Sequence, residues 1–197
     1  MSRRVFRAMD QPVTFVQHPA TRLYRQLDAG DTAFTLGAAK LQRLADTAIE
    51  TEEAATTLTL AVYRRKDTEP VSGIESLRGK RLVLMNGYSY SRLGERLEEA
   101  SDAIQTTEAR THKSALRMIQ FGRADYLLNY MTPADTTIAR NKLSGLRRDV
   151  LTRVDVHLYV SKAVPNARAL AREWDQNLKA LKRHNQLPHT NYYEMGE

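Results

Sequence analysis

The sequence predicts an α/β fold of two similar lobes, with mainly parallel sheets flanked by helices. Apolar runs of strand length alternate with amphipathic helical patterns along most of the 197 residues. One unit of this alternation, a helix that ends at a glycine and is followed by a strand, occurs twice with the same spacing. Its marker positions are Leu23, Leu27, Gly30 and Phe34 in the first half and Ala115, Ile119, Gly122 and Tyr126 in the second.

The first lobe is predicted from residues 1–63 and from the C-terminal segment 162–197. Residues 2–9 fit either a helix fragment or an arm, and Val13–Val16 has the apolar content of a short strand. The remaining predicted elements are a helix through Leu23 and Leu27, a strand at 33–36, a helical segment from Gly37 through Leu41, Leu44 and Ile49, a strand at 57–63, and a long helix at 165–181 with Trp174 in the core.

The second lobe is predicted from residues 70–155. It begins with the amphipathic turn at 74–79 and continues with strands at 82–85, 104–107, 126–128 and 154–160. Helical patterns lie between them, through Leu93 and Leu97, through Ala115 and Ile119, and over 133–139. The extended segments 57–66 and 154–162 join the two lobes and are predicted to act as hinges.

Charge and composition exclude several classes of protein. The net charge is +7, but the basic residues occur in small scattered groups with acidic residues between most of them, which is not the pattern of a nucleic-acid-binding face. The chain has no cysteine, so disulfides, cysteine-bound zinc and a thiol nucleophile are excluded. No apolar run approaches the length of a membrane span.

The sequence contains no motif that indicates an enzyme or a cofactor. The five histidines include no pair at the i, i+4 spacing of a helical metal site. There is no Gly-x-Ser-x-Gly elbow and no Gly-Lys-Ser/Thr phosphate loop. We therefore expect no catalytic residues, no metal and no cofactor. Catalytic residues in a cleft need not be close in sequence, so a small enzyme stays an alternative.

The candidate site lies in the loops that follow predicted strands, because ligands of α/β sheets bind beyond the carboxyl ends of the strands. Four loops satisfy this rule: Gln17-His18, Gly37-Ala38, Gly87–Ser91 and Asn129-Tyr130-Met131. The Gly87 loop is rich in hydroxyls and precedes a helix, where backbone N–H groups favour a polar or anionic ligand. A well-capped helix without a ligand is the alternative interpretation of that loop. The predicted contacts are Tyr88, Ser89, Tyr90, Ser91, Asn129 and Tyr130, with Gln17, His18 and Arg43 as further candidates.

Three motifs resemble the bacterial extracellular solute-binding proteins of the polar amino acid type, which have the type II periplasmic-binding fold. They are Ile74-Glu-Ser-Leu-Arg-Gly-Lys-Arg-Leu-Val-Leu84, Asn86-Gly-Tyr-Ser-Tyr90, and Ala115–Leu128 with Phe121-Gly-Arg-Ala-Asp125. The resemblance covers most of the chain. It implies two lobes that close by a hinge on a small polar, amino-acid-like solute, and a membrane ABC permease as the partner that receives it.

The resemblance also assigns residues. Ser89 falls where the family uses a small hydroxyl residue to bind a ligand carboxylate, whereas Tyr88 departs from the family's small side chain. Asp125 matches an acidic residue that is usually structural. The aspartate that many family members hold against a ligand ammonium falls near Tyr130, which is uncharged, and an ammonium in a desolvated site then needs an aromatic partner. Arg43 is a loose match to the arginine that holds the carboxylate.

The resemblance further implies a periplasmic location and a monomer. Relative to the family, the chain lacks the strand, aromatic loop and helix that precede the segment resembling Val13–Val16, so we expect a first lobe without its first strand. It has no secretory signal, which does not decide the location, because a signal would precede that missing part. A ligand-sensing regulatory domain of the same fold and a truncated homologue that binds nothing are the alternatives.

Overall fold

A computed structural model describes residues 1–16, 18, 20–88, 90 and 92–184. The α/β fold class is confirmed. The helices are α1 (Ser2–Ala8), α2 (Ala20–Ala29), α3 (Arg92–Glu99), α4 (His112–Gln120), α5 (Met131–Arg140) and α6 (Ala167–Arg183). The strands are β1 (Phe34–Ala38), β2 (Ala48–Glu50), β3 (Thr56–Arg65), β4 (Arg81–Met85), β5 (Gln105–Ala109), β6 (Tyr126–Tyr130) and β7 (Leu146–Ser161).

The described residues divide into two compact units. Unit 1 comprises Met1–Thr57 and Asp155–Glu197, and unit 2 comprises Leu58–Val154. Both boundaries fall inside strands, after the second residue of β3 and before Asp155 in β7. The lobe and hinge limits given above stay predictions. None of the described helices is both long enough and apolar enough to cross a membrane.

Unit 1 is built on the C-terminal half of β7, which pairs antiparallel with β1 and with β2. Val160 of β7 is opposite Phe34 in one pairing and opposite Ile49 in the other. The core next to these strands is formed by α1 and α6, where Trp174 is fully buried and its ring centroid lies 4.9 Å from that of Phe6. The N-terminal segment, for which helix and arm were both open, is therefore a packed helix.

Unit 2 has β3 between β7 and β6, followed by β4 and β5. The pairs β4–β5 and β4–β6 are parallel, whereas β3–β6 is antiparallel. Together with the antiparallel pairs of unit 1, this makes the pairing mixed, and the prediction of mainly parallel sheets is wrong in that detail. The parallel strands β4, β5 and β6 follow one another through the helices α3 and α4, and such helical crossovers are what parallel neighbours require.

The repeated helix–glycine–strand unit is present in both halves. Gly30 follows α2 and Gly122 follows α4, with φ of +79° and +69°. Glycine adopts this left-handed conformation at little energetic cost, and for that reason it commonly follows the last residue of a helix. The strands β1 and β6 begin a few residues later. At Gly30 an added Cβ would also lie 2.8 Å from the Cβ of Ala163. The glycines therefore fix the ends of α2 and α4.

Two local predictions for unit 1 are wrong. Val13–Val16 is not a strand: Val13 and Phe15 pack on the core of α1 and α6, but the segment pairs with no strand among the described residues. The segment after Gly37 is not a helix, because it forms turns, a 3₁₀ turn at Gln42–Leu44 and then β2. Its apolar residues Leu41 and Leu44 pack around Tyr159 and Leu27 instead of following one helical face.

Candidate functional site

Four residues at the carboxyl ends of β4 and β6 lie together in unit 2. Tyr88 and Tyr90 follow β4, and Asn129 and Tyr130 are the last two residues of β6. The ring centroid of Tyr88 lies 5.8 Å from that of Tyr90 and 5.5 Å from that of Tyr130, and the rings of Tyr90 and Tyr130 are stacked at 6.2 Å. The two parallel strands thus bring two separate predicted loops into one aromatic group.

His112 connects this group to β5. It is the first residue of α4, which is capped by the Thr111 hydroxyl accepting the Ser114 N–H. The Asn129 amide Nδ2 lies 2.9 Å from His112 Nδ1, and the Tyr88 hydroxyl lies 3.4 Å from His112 Nε2. With an Nε2–H tautomer, Asn129 donates to the imidazole and the imidazole donates to Tyr88. We call Tyr88, Tyr90, His112, Asn129 and Tyr130 the strand-end cluster.

The amide oxygen of Asn129 accepts no hydrogen bond from the described part of the chain. The residue is completely buried, and its Oδ1 has no hydrogen-bond partner there. A buried acceptor without a donor costs on the order of 1–3 kcal/mol, so such groups are normally satisfied by water or by a bound molecule. The strand-end cluster therefore contains an amide oxygen that is prepared to accept a hydrogen bond.

Tyr90 fixes the loop rather than presenting its hydroxyl outward. Its φ is +53°, its side chain is buried, and its hydroxyl accepts the Met85 N–H at 2.6 Å and donates to the Leu128 carbonyl at 3.2 Å. The hydroxyl therefore bridges β4 and β6. Burial raises the pKa of Tyr90 well above its ordinary value, so the hydroxyl stays protonated at neutral pH.

The other predicted site residues are not part of the strand-end cluster as the structure describes it. Gln17, Ser89 and Ser91 lie outside the described residues. His18 is half-buried between α1 and α2. Arg43 lies in unit 1, with its guanidinium 4.8 Å from the ring centroid of Tyr24 and 3.8 Å from the Asp28 carboxylate. Their ligand contacts stay predictions.

The prediction that Asn129, Tyr130 and Met131 form a loop is wrong. β6 continues to Tyr130, which is opposite Leu60 of β3, and α5 begins at Met131 without a loop. The sequence analysis did not select His112 as a site residue. The rule used for the other loops would have found it, since His112 comes shortly after β5 ends.

Asp125, which the resemblance marks as structural, holds the start of β6. Its carboxylate accepts the Arg81 backbone N–H at 2.9 Å and the Arg81 guanidinium at 2.7 Å. The Arg81 hydrogen bond lowers the pKa of Asp125. These contacts lie at the amino ends of β4 and β6, so Asp125 is at the opposite end of the strands from the strand-end cluster.

The burial of His112 predicts a pH effect on stability. Desolvation lowers its pKa below the ordinary value near 6.5, so the unfolded chain binds a proton more readily than the folded chain. Stability should therefore fall as pH decreases below about 6.5 and should stop falling once the folded His112 is also protonated.

Thermal melts from pH 8 to pH 4 should show a smaller loss of stability at acidic pH for His112→Gln than for the wild type. His184→Gln, at an exposed histidine after α6, is the control and should leave the pH profile unchanged. Equal profiles for all three proteins would contradict the prediction.

Within the described residues, no group of three or more His, Asp or Glu side chains is placed to hold a metal ion. The groups offered by the strand-end cluster are neutral: aromatic faces, a tyrosine hydroxyl, an imidazole whose pKa is lowered, and an amide oxygen. Such a set recognises a polar molecule through hydrogen bonds and ring contacts.

No protein-family model and no curated protein matches this sequence. Solved structures do match. A histidine kinase sensor domain described as similar to periplasmic binding proteins has a TM-score of 0.77 and 22% identity, over 94% of this chain and 79% of that one. A structure from a study of glutathione import via GshT and the cystine ABC importer TcyBC of Streptococcus mutans has a TM-score of 0.74 and 16% identity, over 93% of this chain and 78% of that one. Holo ArgBP from T. maritima has a TM-score of 0.70 and 17% identity, over 91% and 77%. Because these likenesses extend over nearly the whole chain, the protein has the α/β fold of the periplasmic binding proteins.

Proposed function

We propose that this protein binds a small polar, amino-acid-like solute at the strand-end cluster and serves as the substrate-binding component of an ABC importer. The observation that carries the proposal is the buried Asn129 amide oxygen without a donor, beside a tyrosine hydroxyl and an imidazole at the ends of parallel strands. The fold supports it, since arginine-bound ArgBP from T. maritima has this fold.

The chemistry of the cluster favours hydrogen bonding to an uncharged or delocalised group of the solute. An N–H of the solute would donate to Asn129 Oδ1, and the Tyr88 hydroxyl would contact a second polar group. The end of β6 carries no carboxylate, so a compact ammonium would rely on the rings of Tyr88 and Tyr130. Amides, guanidinium groups and short peptides fit these groups better than simple sugars.

Binding is proposed to be coupled to hinge closure, with the segments 57–66 and 154–162 as hinges. The division of the chain inside β3 and β7 supports this choice, because the few residues that join two compact units are where backbone rotation is absorbed. The solute selects the closed form only as far as it binds that form more tightly. We place this activity in the periplasm, with a membrane permease as the partner.

A matched pair of tyrosine variants tests the site. A thermal-shift screen of amino acids, amides, short peptides, polyamines, organic acids and sugars identifies a ligand, and calorimetry gives its affinity. Tyr88→Phe should weaken binding about 2- to 10-fold, the usual value of one hydrogen bond. Tyr126→Phe is the control, because it also removes one hydroxyl from unit 2, the donor to the Glu69 carbonyl at the other end of β6. Equal affinities of the two variants would remove Tyr88 from the site.

A sensor domain is the second candidate function. The observation that favours it is the similarity to a histidine kinase sensor domain, which has a TM-score of 0.77. Deletion of the gene separates the two functions once the ligand is known. Loss of uptake of that solute supports import, whereas unchanged uptake with a lost transcriptional response to the solute supports sensing.

A further inference from the structure

The outer face of α4 carries basic and apolar side chains around a cavity. The helix buries Ala115, Leu116 and Ile119 against unit 2. Its other face presents Lys113, Ser114, Arg117 and Met118, at the i, i+3 and i+4 spacings that place side chains along one side of a helix. Together with Phe121 and Arg123, these residues line a cavity of about 530 Å³. We call this surface the α4 face.

The cations of the α4 face have no carboxylate partners among the residues that the structure describes. Lys113, Arg117 and Arg123 are exposed, and within the described ranges none of the three forms an ion pair. Other arginines of unit 2 do form pairs, such as Arg81 with Asp125 and Arg148 with Asp135. The α4 face thus concentrates positive charge that unit 2 leaves uncompensated.

The same surface exposes a large aromatic side chain. Phe121 is 67% exposed although it directly follows a helix in which Ala115, Leu116 and Ile119 are fully buried. Arginine, methionine and aromatic residues are the types enriched in protein interfaces, and an exposed phenylalanine between arginines is the arrangement of an interface anchor. A flat bilayer would leave the cavity unfilled, whereas a side chain of a protein segment fills it.

From this combination we infer that the α4 face is a docking surface for an acidic segment of a partner protein that also carries an apolar side chain. The carboxylates pair with Lys113, Arg117 and Arg123, and the apolar side chain packs on Phe121 and Met118. Charge complementarity selects the partner and speeds its association. The α4 face shares no residue with the strand-end cluster, so the inference does not depend on the identity of the solute.

Fluorescence anisotropy with two short fluorescein-labelled peptides of equal negative charge tests the inference. One peptide has leucines spaced among aspartates and glutamates, and the other has serines in their place. The wild type should bind the leucine peptide more tightly, and binding should weaken in high salt. Arg117→Glu/Arg123→Glu should weaken it about tenfold or more. Phe121→Ser should reduce the affinity for the leucine peptide to that for the serine peptide.

The control variant Arg168→Glu/Arg172→Glu makes the same change of net charge at two exposed arginines of α6 and should retain binding within about twofold. Circular dichroism melts of all variants show that they are folded. The inference is overturned if the control loses as much affinity as Arg117→Glu/Arg123→Glu, or if the wild type binds neither peptide. It is also overturned if the protein does not bind the peptides but binds vesicles of equal parts phosphatidylcholine and phosphatidylglycerol through Arg117 and Arg123.

Discussion

Replacing Trp174 with alanine is expected to lower the free energy of unfolding by about 3–5 kcal/mol, the usual cost of removing a large aromatic side chain from a core. Trp174 is fully buried in unit 1, and its ring centroid lies 4.9 Å from that of Phe6. The collapse of neighbouring side chains cannot fill a cavity of that size. Urea unfolding followed by circular dichroism measures the effect, because Trp174 is the only tryptophan and its fluorescence is lost in the variant.

Trp174→Phe is the matched control for this substitution. The indole Nε1 has no hydrogen-bond partner among the described residues, so phenylalanine loses volume but no hydrogen bond. We expect it to retain most of the stability that alanine loses. A loss below about 1 kcal/mol for Trp174→Ala would show that the contacts of α1 with α6 contribute little to the stability of unit 1.

Removing the Asp149 carboxylate should lower the free energy of unfolding by a comparable amount, through its effect on unit 2. Asp149 pairs with Arg64 through contacts of 2.7 and 3.2 Å and also accepts the Val71 N–H at 2.9 Å. Both side chains are mostly shielded from solvent, at 11% and 18% exposure. Asp149→Ala leaves the arginine partly buried without its partner, which should cost on the order of 3 kcal/mol.

The pH dependence of this pair has a definite sign. Burial works to raise the pKa of Asp149, but the hydrogen bonds from Arg64 and from the Val71 N–H outweigh it and leave the pKa below its ordinary value. The stability contributed by the pair is therefore present above about pH 4 and is lost as pH falls through the lowered pKa.

Glu75→Ala, which removes an exposed ion pair with Arg78, is the control for Asp149→Ala and should leave the midpoint of urea unfolding unchanged. A similar midpoint for both variants would contradict the prediction.

Local signals in the sequence were sufficient for most of the fold. Gly30 and Gly122 end helices because only glycine accepts their φ cheaply, and this constraint is visible without a structure. The long amphipathic pattern around Trp174 likewise predicted α6. Val13–Val16 was assigned wrongly because its apolar content is that of a strand, whereas the strands with which a segment pairs are decided by tertiary packing.

The candidate site was only partly accessible from the sequence. Tyr88, Tyr90, Asn129 and Tyr130 were found by the rule that ligands bind at strand ends. The direct passage from β6 into α5 could not be predicted, because it depends on the pairing of Tyr130 with Leu60, which is distant in sequence. The hydrogen bonds of His112 to Asn129 and Tyr88 join residues of three separate segments, and no sequence spacing encodes them.

The central claim is that a polar solute binds at the strand-end cluster, and heteronuclear NMR of the isotope-labelled chain tests it most directly. Titration with the ligand found by thermal shift should move the backbone amide signals of Gly87, Tyr88, His112, Asn129 and Tyr130. The signals of Arg81 and Tyr126, at the amino ends of the same strands, should move much less. Saturable shifts confined to residues outside the cluster, or no shifts for any ligand class, would contradict the claim.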